Sequence, residues 1–178
     1  VSEPSLPTSN PPRVTPAVPR RVVLAAVVML LLGVVGGLVW VWLADPAQWQ
    51  VTSRGIVMSE SESQGQFGVI VVFVAIGAVV SLGWGWVTGR RLEELGWVLT
   101  PFVVVVTVLA ALLAWRIGVE LGPPDPATVA RPSVGDRIPA QLKIDGIVPF
   151  LVWPIFGLIG LVGAVWSTRR EPDPATYA

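Results

Sequence analysis

The chain has 178 residues, 53% of them hydrophobic and 13% charged, with a mean hydropathy of +0.69. That balance excludes an ordinary soluble globule and suits a protein that crosses a membrane several times. Basic and acidic side chains cancel, so no nucleic-acid partner is implied, and the lack of Cys and His excludes disulfides, thiol chemistry, His-ligated metals and His-based triads. The basic residues are nearly all Arg, with Lys143 the only lysine; together with Val1 in place of Met this fits a GC-rich genome and a GTG start.

The first 19 residues carry Pro4, Pro7, Pro11, Pro12, Pro16 and Pro19 among Ser and Thr. So few apolar groups cannot offset the entropy of ordering, and residues 1–19 read as a disordered cytoplasmic tail. Arg20 and Arg21 then open the charge-free run Val22–Ala44, which closes on Trp40, Val41, Trp42 and Leu43. A helix of about 20 apolar residues crosses a ~30 Å hydrocarbon core, and twin arginines at one end with tryptophans at the other supply a charged and an aromatic anchor. The run is too long for the apolar segment of a signal peptide, and Ala44-Asp45-Pro46 is a poor cleavage context, so a retained helix is expected.

Three further runs follow: 67–87, about 96–121, and 147–166. The third is charge-free only to Trp115; Arg116 and Glu120, four apart on one face, are placed to pair beyond the apolar core. Thr88 to Leu95 reads as a short loop, and Gly122 to Gly146 as a Pro-rich one. Arg20/Arg21, Arg90/Arg91 and Arg169/Arg170 flank alternate ends of the runs, whereas the other loops hold scattered basic residues among carboxylates. The positive-inside rule then gives four spans over residues 20–170, both termini cytoplasmic, residues 171–178 being the C-terminal tail.

Between spans, Trp49 to Thr52 and Ile56 to Met58 flank Ser53-Arg54-Gly55 and read as a short hairpin. Arg137 to Asp145 alternates apolar and polar residues. Strands from the two outer loops are expected to form a small extracytoplasmic cap on an otherwise all-α membrane fold. Glu60 and Glu62 precede the second span, and Asp145 the fourth. They read either as an outer acidic site for a cation or basic partner, calcium or magnesium suiting such hard ligands, or as acids favoured by the positive end of a helix dipole. No cofactor is required by any motif.

Lipid tails are as apolar as leucine, so membrane helices associate where small residues let backbones approach. Gly33 and Gly37 lie four apart in the first run; Gly77, Ser81, Gly85 and Gly89 form one face of the second. The second-run face is taken as the central packing surface. Gly33 and Gly37, like Ala110, Ala114 and Gly118 and like Gly157, Gly160 and Gly163, read equally well as packing faces or as composition alone. Ser81, Thr100 and Thr107 are the polar groups of the apolar cores, which carry no ionisable residue; that argues against a proton-coupled pump or a voltage sensor. Pro101 and Pro149 suit helix starts, while Pro154 is expected to bend the fourth helix or free a carbonyl. Each half is a helix, an outer loop and a helix ending in Trp and twin Arg, which suggests a parallel internal repeat about an axis along the membrane normal.

The first helix ending in tryptophans, the Ser-Glu-Ser-Glu-Ser segment before Phe67, the Gly-rich second helix and Val152-Trp153-Pro154 in the fourth carry a resemblance. Over about residues 20–170 the chain resembles a group of small four-helix membrane proteins of actinobacteria classed as a domain of unknown function. The resemblance implies an actinobacterial plasma membrane and no established activity. The chain is expected to be a non-enzymatic accessory or scaffold subunit of a cell-envelope complex, associating with another membrane protein or with itself in the bilayer. The alternatives are a small oligomeric transporter or channel for an uncharged or lipid-like solute, and a membrane enzyme using the outer carboxylates.

Overall fold

A computed structural model describes residues 17–44, 48–52, 55–57, 63–124, 137–139, 142, 144 and 146–168. Four long helices dominate: α1 (Ala17–Leu43), α2 (Ser63–Arg91), α3 (Leu99–Leu121) and α4 (Val148–Thr168). All four are long and apolar enough to cross a membrane. The side chains offer no amphipathic stripe, because lipid and neighbouring helices are equally apolar solvents for them.

Several boundaries differ from the sequence reading. Helix α1 begins at Ala17, inside the segment read as a disordered tail, with Pro19 in the first turn where its missing N–H costs little, and α2 begins at Ser63 rather than Phe67. The second helix does not stop at Val87 but continues through Thr88, Gly89 and both arginines to Arg91. Charges end a hydrophobic run, yet they do not end a helix, since Arg is a good helix former and stabilises a C-terminus. Leu92 follows, buried and with its N–H donated to the Thr88 carbonyl at 2.9 Å, and a short 3₁₀ segment (Glu93–Val98) leads into α3. Gly96, read above as the start of the third run, breaks the helical path at φ 55, ψ −131. A left-handed φ of this kind is open to glycine at little cost.

Strands β1 (Gln48–Thr52), β2 (Gly55–Val57) and β3 (Arg137–Pro139) form a three-stranded antiparallel sheet in the order β2-β1-β3. Val51 sits opposite Ile56, and Trp49 opposite Ile138. The sheet joins the α1–α2 connection to the α3–α4 connection at one end of the bundle. Leu142 and Ile144, just after β3, are buried, and Leu142 lies against Gly122 at the end of α3.

The closest helix pairings are α2 with α4 and α1 with α3, followed by α3 with α4 and α1 with α2. Gly33 meets Ala110 and Gly37 meets Ala114, so the partner's number advances by four with each turn. Likewise Gly77 meets Trp153 and Gly89 meets Ala164. The tightest contacts are therefore between helices that run in the same direction, one from each half of the chain. Nearly the same interval relates both pairs, which is the arrangement a parallel repeat of two helical hairpins produces.

Candidate functional site

The chemistry of the chain is concentrated in two places among the described residues, the packed centre and the arginine-bearing end. The centre is built on backbone contact. A Cβ at Gly33 would lie 2.7 Å from the Ala110 carbonyl oxygen, and one at Gly37 2.7 Å from that of Ala114. Across the bundle the Trp153 indole lies on Gly77, Gly85 rests on the Gly157 carbonyl, and a Cβ at Gly89 would sit 2.8 Å from that of Ala164. Ser81, fully buried, completes this face of α2. The structure thus brings Gly77, Ser81, Gly85 and Gly89 together against α4, and Gly33 and Gly37 against α3. Sequence reasoning did not name these partners, because a small residue announces a close approach but not the helix that makes it.

Aromatic side chains fill the space beside the glycines. Trp40 packs edge-on to Phe73 with centroids 5.1 Å apart, and Phe73 continues to Phe150 at 5.6 Å and Trp153 at 5.7 Å. The Trp40 indole N–H donates to the Val69 carbonyl oxygen at 2.8 Å, tying α1 to α2. Trp84 ties the same pair nearer the other end, donating to the Ala25 carbonyl oxygen at 3.1 Å. Trp40 is therefore no interfacial anchor: it is wholly buried, its ring on Gly118, and only its neighbour Trp42 faces outward.

Polar groups in this interior are few. Thr107 donates its hydroxyl to the Val103 carbonyl oxygen at 2.7 Å within its own helix. Thr100, a polar group of the third apolar run, is exposed on the bundle surface, whereas Thr88, read as a loop residue, is buried. The Ser81 hydroxyl and the Trp153 indole N–H have no hydrogen-bond partner among the described residues. Pro154 lies buried inside α4, where its missing N–H leaves the Phe150 carbonyl without its helical donor.

At the end formed by the N-terminus of α1 and the C-terminus of α2, Arg21 contacts Glu94 at 3.4 Å. Arg90 donates to the Ser167 hydroxyl at 3.1 Å and its guanidinium lies 4.9 Å from the centre of the Trp86 ring. Arg116 and Glu120 pair at 3.3 Å, as their spacing suggests, at the far end. Glu60, Glu62, Asp145, Arg169 and Arg170 lie outside the described residues, as do residues 1–16 and the C-terminal tail. Among the described residues, no group of His, Cys, Asp and Glu gathers around a common point that a metal ion would occupy. No family model matches the chain, and neither does any curated protein or solved structure.

Proposed function

We propose that the chain is a multi-pass plasma-membrane protein with both termini in the cytoplasm, serving as a non-enzymatic accessory or scaffold subunit of a cell-envelope complex. The observation that carries this reading is the filled interior. Trp40, Phe73, Trp153, Met29, Val103 and Thr107 are all at most 1% exposed, and the spaces between helices are closed by glycine backbone. Such close packing among the described residues leaves little room for a solute between the helices of one copy, which favours a partner met on the outer surface. The arginines gathered at one end support a cytoplasmic placement of that end, and the three-stranded sheet then forms an extracytoplasmic cap. The actinobacterial resemblance is compatible with this setting.

Purification in mild detergent after light cross-linking tests the reading. A second membrane protein recovered in fixed stoichiometry is the expected result. A homo-oligomer that retains a bound uncharged solute, and no other chain, would instead favour the transporter alternative.

A further inference from the structure

Among the concave surfaces along the described helices, three contrast in chemistry. One, lined by Gly89, Glu93, Trp97 and Trp166 among others, carries a carboxylate. Another, between α1 and α2 near Gly36 and Val79, is wholly aliphatic. The third combines both kinds of chemistry. It is a groove of about 450 Å³ between α1 and α2, with Leu24, Val28, Trp84 and Val87 in its walls and Arg21 and Arg91 at its charged end.

We propose that this groove binds one anionic phospholipid, the phosphate between Arg21 and Arg91 and the first part of an acyl chain along the apolar walls. The two consecutive arginines of α2 have divided roles. Arg90 is turned toward α4, held by Trp86 and Ser167. Arg91 lines the groove and has no hydrogen-bond or ion-pair partner among the described residues. Its guanidinium offers a planar fork of donors suited to phosphate oxygens. Arg21 has Glu94 beside it, but both side chains are about half exposed or more, at 62% and 49%. A pair so exposed is weak, and a phosphate can displace the carboxylate.

The walls decide for a lipid over a free anion. Leu24 is 62% exposed and Val87 47%, so apolar surface continues from the arginines in the direction of the membrane interior. The Trp84 indole N–H, bonded to the Ala25 carbonyl oxygen, ties α1 to α2 within the groove. A soluble phosphate would use the arginines and leave the walls unused. A net-neutral phospholipid would use the walls but bring the cationic amine of its zwitterionic headgroup, along with the phosphate, close to the arginines.

The test uses the full chain in detergent, with bound lipid counted by native mass spectrometry during titration of phosphatidylglycerol, phosphatidylcholine or inorganic phosphate. One phosphatidylglycerol per chain is expected, bound about tenfold more tightly than phosphatidylcholine. Arg91→Gln, an exposed change that leaves the fold intact, should weaken phosphatidylglycerol by about tenfold. Val28→Trp should weaken it by filling the groove. Glu94→Gln should strengthen it by releasing Arg21, and Arg116→Gln at the far end should change nothing. Equal retention of the two lipids, an unchanged Arg91→Gln variant, or full displacement of phosphatidylglycerol by equimolar inorganic phosphate would each overturn the proposal. None of these outcomes depends on whether a protein partner co-purifies.

Discussion

Gly85 of α2 lies so close to the carbonyl oxygen of Gly157 in α4 that no side chain fits between them. The contact belongs to two parallel helices from opposite halves of the chain, and it sets their separation. A methyl group added there forces the helices apart along the whole face, because Gly77 and Gly89 lean on α4 through the same surface.

Gly85→Ala should therefore lower stability by about 1–3 kcal/mol, the usual range for overpacking a filled interior. Gly83→Ala, two residues away with open space around its Cα, should be close to neutral. Thermal unfolding of the two variants in one detergent checks the difference. Equal midpoints would mean that the glycine face is compositional and the helices are held by other contacts.

Ser81 separates volume from polarity at a single position. Its hydroxyl is wholly buried and has no hydrogen-bond partner among the described residues, so its desolvation is uncompensated. Ser81→Ala removes that polar atom and should be neutral or stabilising by up to about 1 kcal/mol. Ser81→Leu keeps the site apolar but overfills it and should destabilise by about 1–3 kcal/mol. A loss of stability in Ser81→Ala as large as in Ser81→Leu would assign the hydroxyl a partner in the folded state.

The four spans were legible because apolar length alone identifies a membrane helix, and Val22 to Ala44 carries that signal without interruption. The face of α2 from Gly77 to Gly89 was legible as a close-packing surface for a related reason. Which helix it meets was not, since hydropathy is uniform around each helix and Ala110 or Gly157 looks the same facing lipid or protein. The tryptophans misled for a physical reason too. Trp40 and Trp42 are two apart, only about 3 Å along the axis, and point to opposite sides of α1, one into the bundle and one outward. The α2–α3 turn was misplaced because Thr88 to Arg91 are polar or glycine, and the helix continues through them to bury Thr88 and Leu92.

Orientation can be read residue by residue, because the chain has no native cysteine and each introduced one is unique. Cysteines at Ser9, Glu93 and Thr176 should be shielded from an impermeant thiol reagent in intact cells, while those at Ser53 and Ser133 should react. Glu93 is the informative position: it lies in the short segment beside the Arg21–Glu94 pair and is exposed. Labelling at Glu93 with protection at Ser53 would invert the topology and move the arginines to the outer face.

Gly96 and Gly83 form a second matched pair, this time isolating backbone conformation from packing. Neither has a neighbouring atom within 4 Å of an added Cβ, so an alanine at either position meets no steric obstacle. They differ in φ: Gly83 lies within α2, while Gly96 has φ 55 and ψ −131 at the break between the 3₁₀ segment and α3. An L-residue is strained in that region whatever the space around it, at about 1–3 kcal/mol. Gly96→Ala should therefore lower the unfolding midpoint although it touches nothing, while Gly83→Ala should leave it in place or raise it slightly through better helix propensity. A D-alanine introduced at Gly96 by semisynthesis should avoid most of the loss, because a positive φ is natural to that enantiomer. If L-alanine at Gly96 is as well tolerated as at Gly83, the turn between α2 and α3 does not hold the left-handed conformation in the membrane, and the register of α3 against α1 must be set by contacts along the helices, such as Gly33 on Ala110, Gly37 on Ala114 and Trp40 on Gly118.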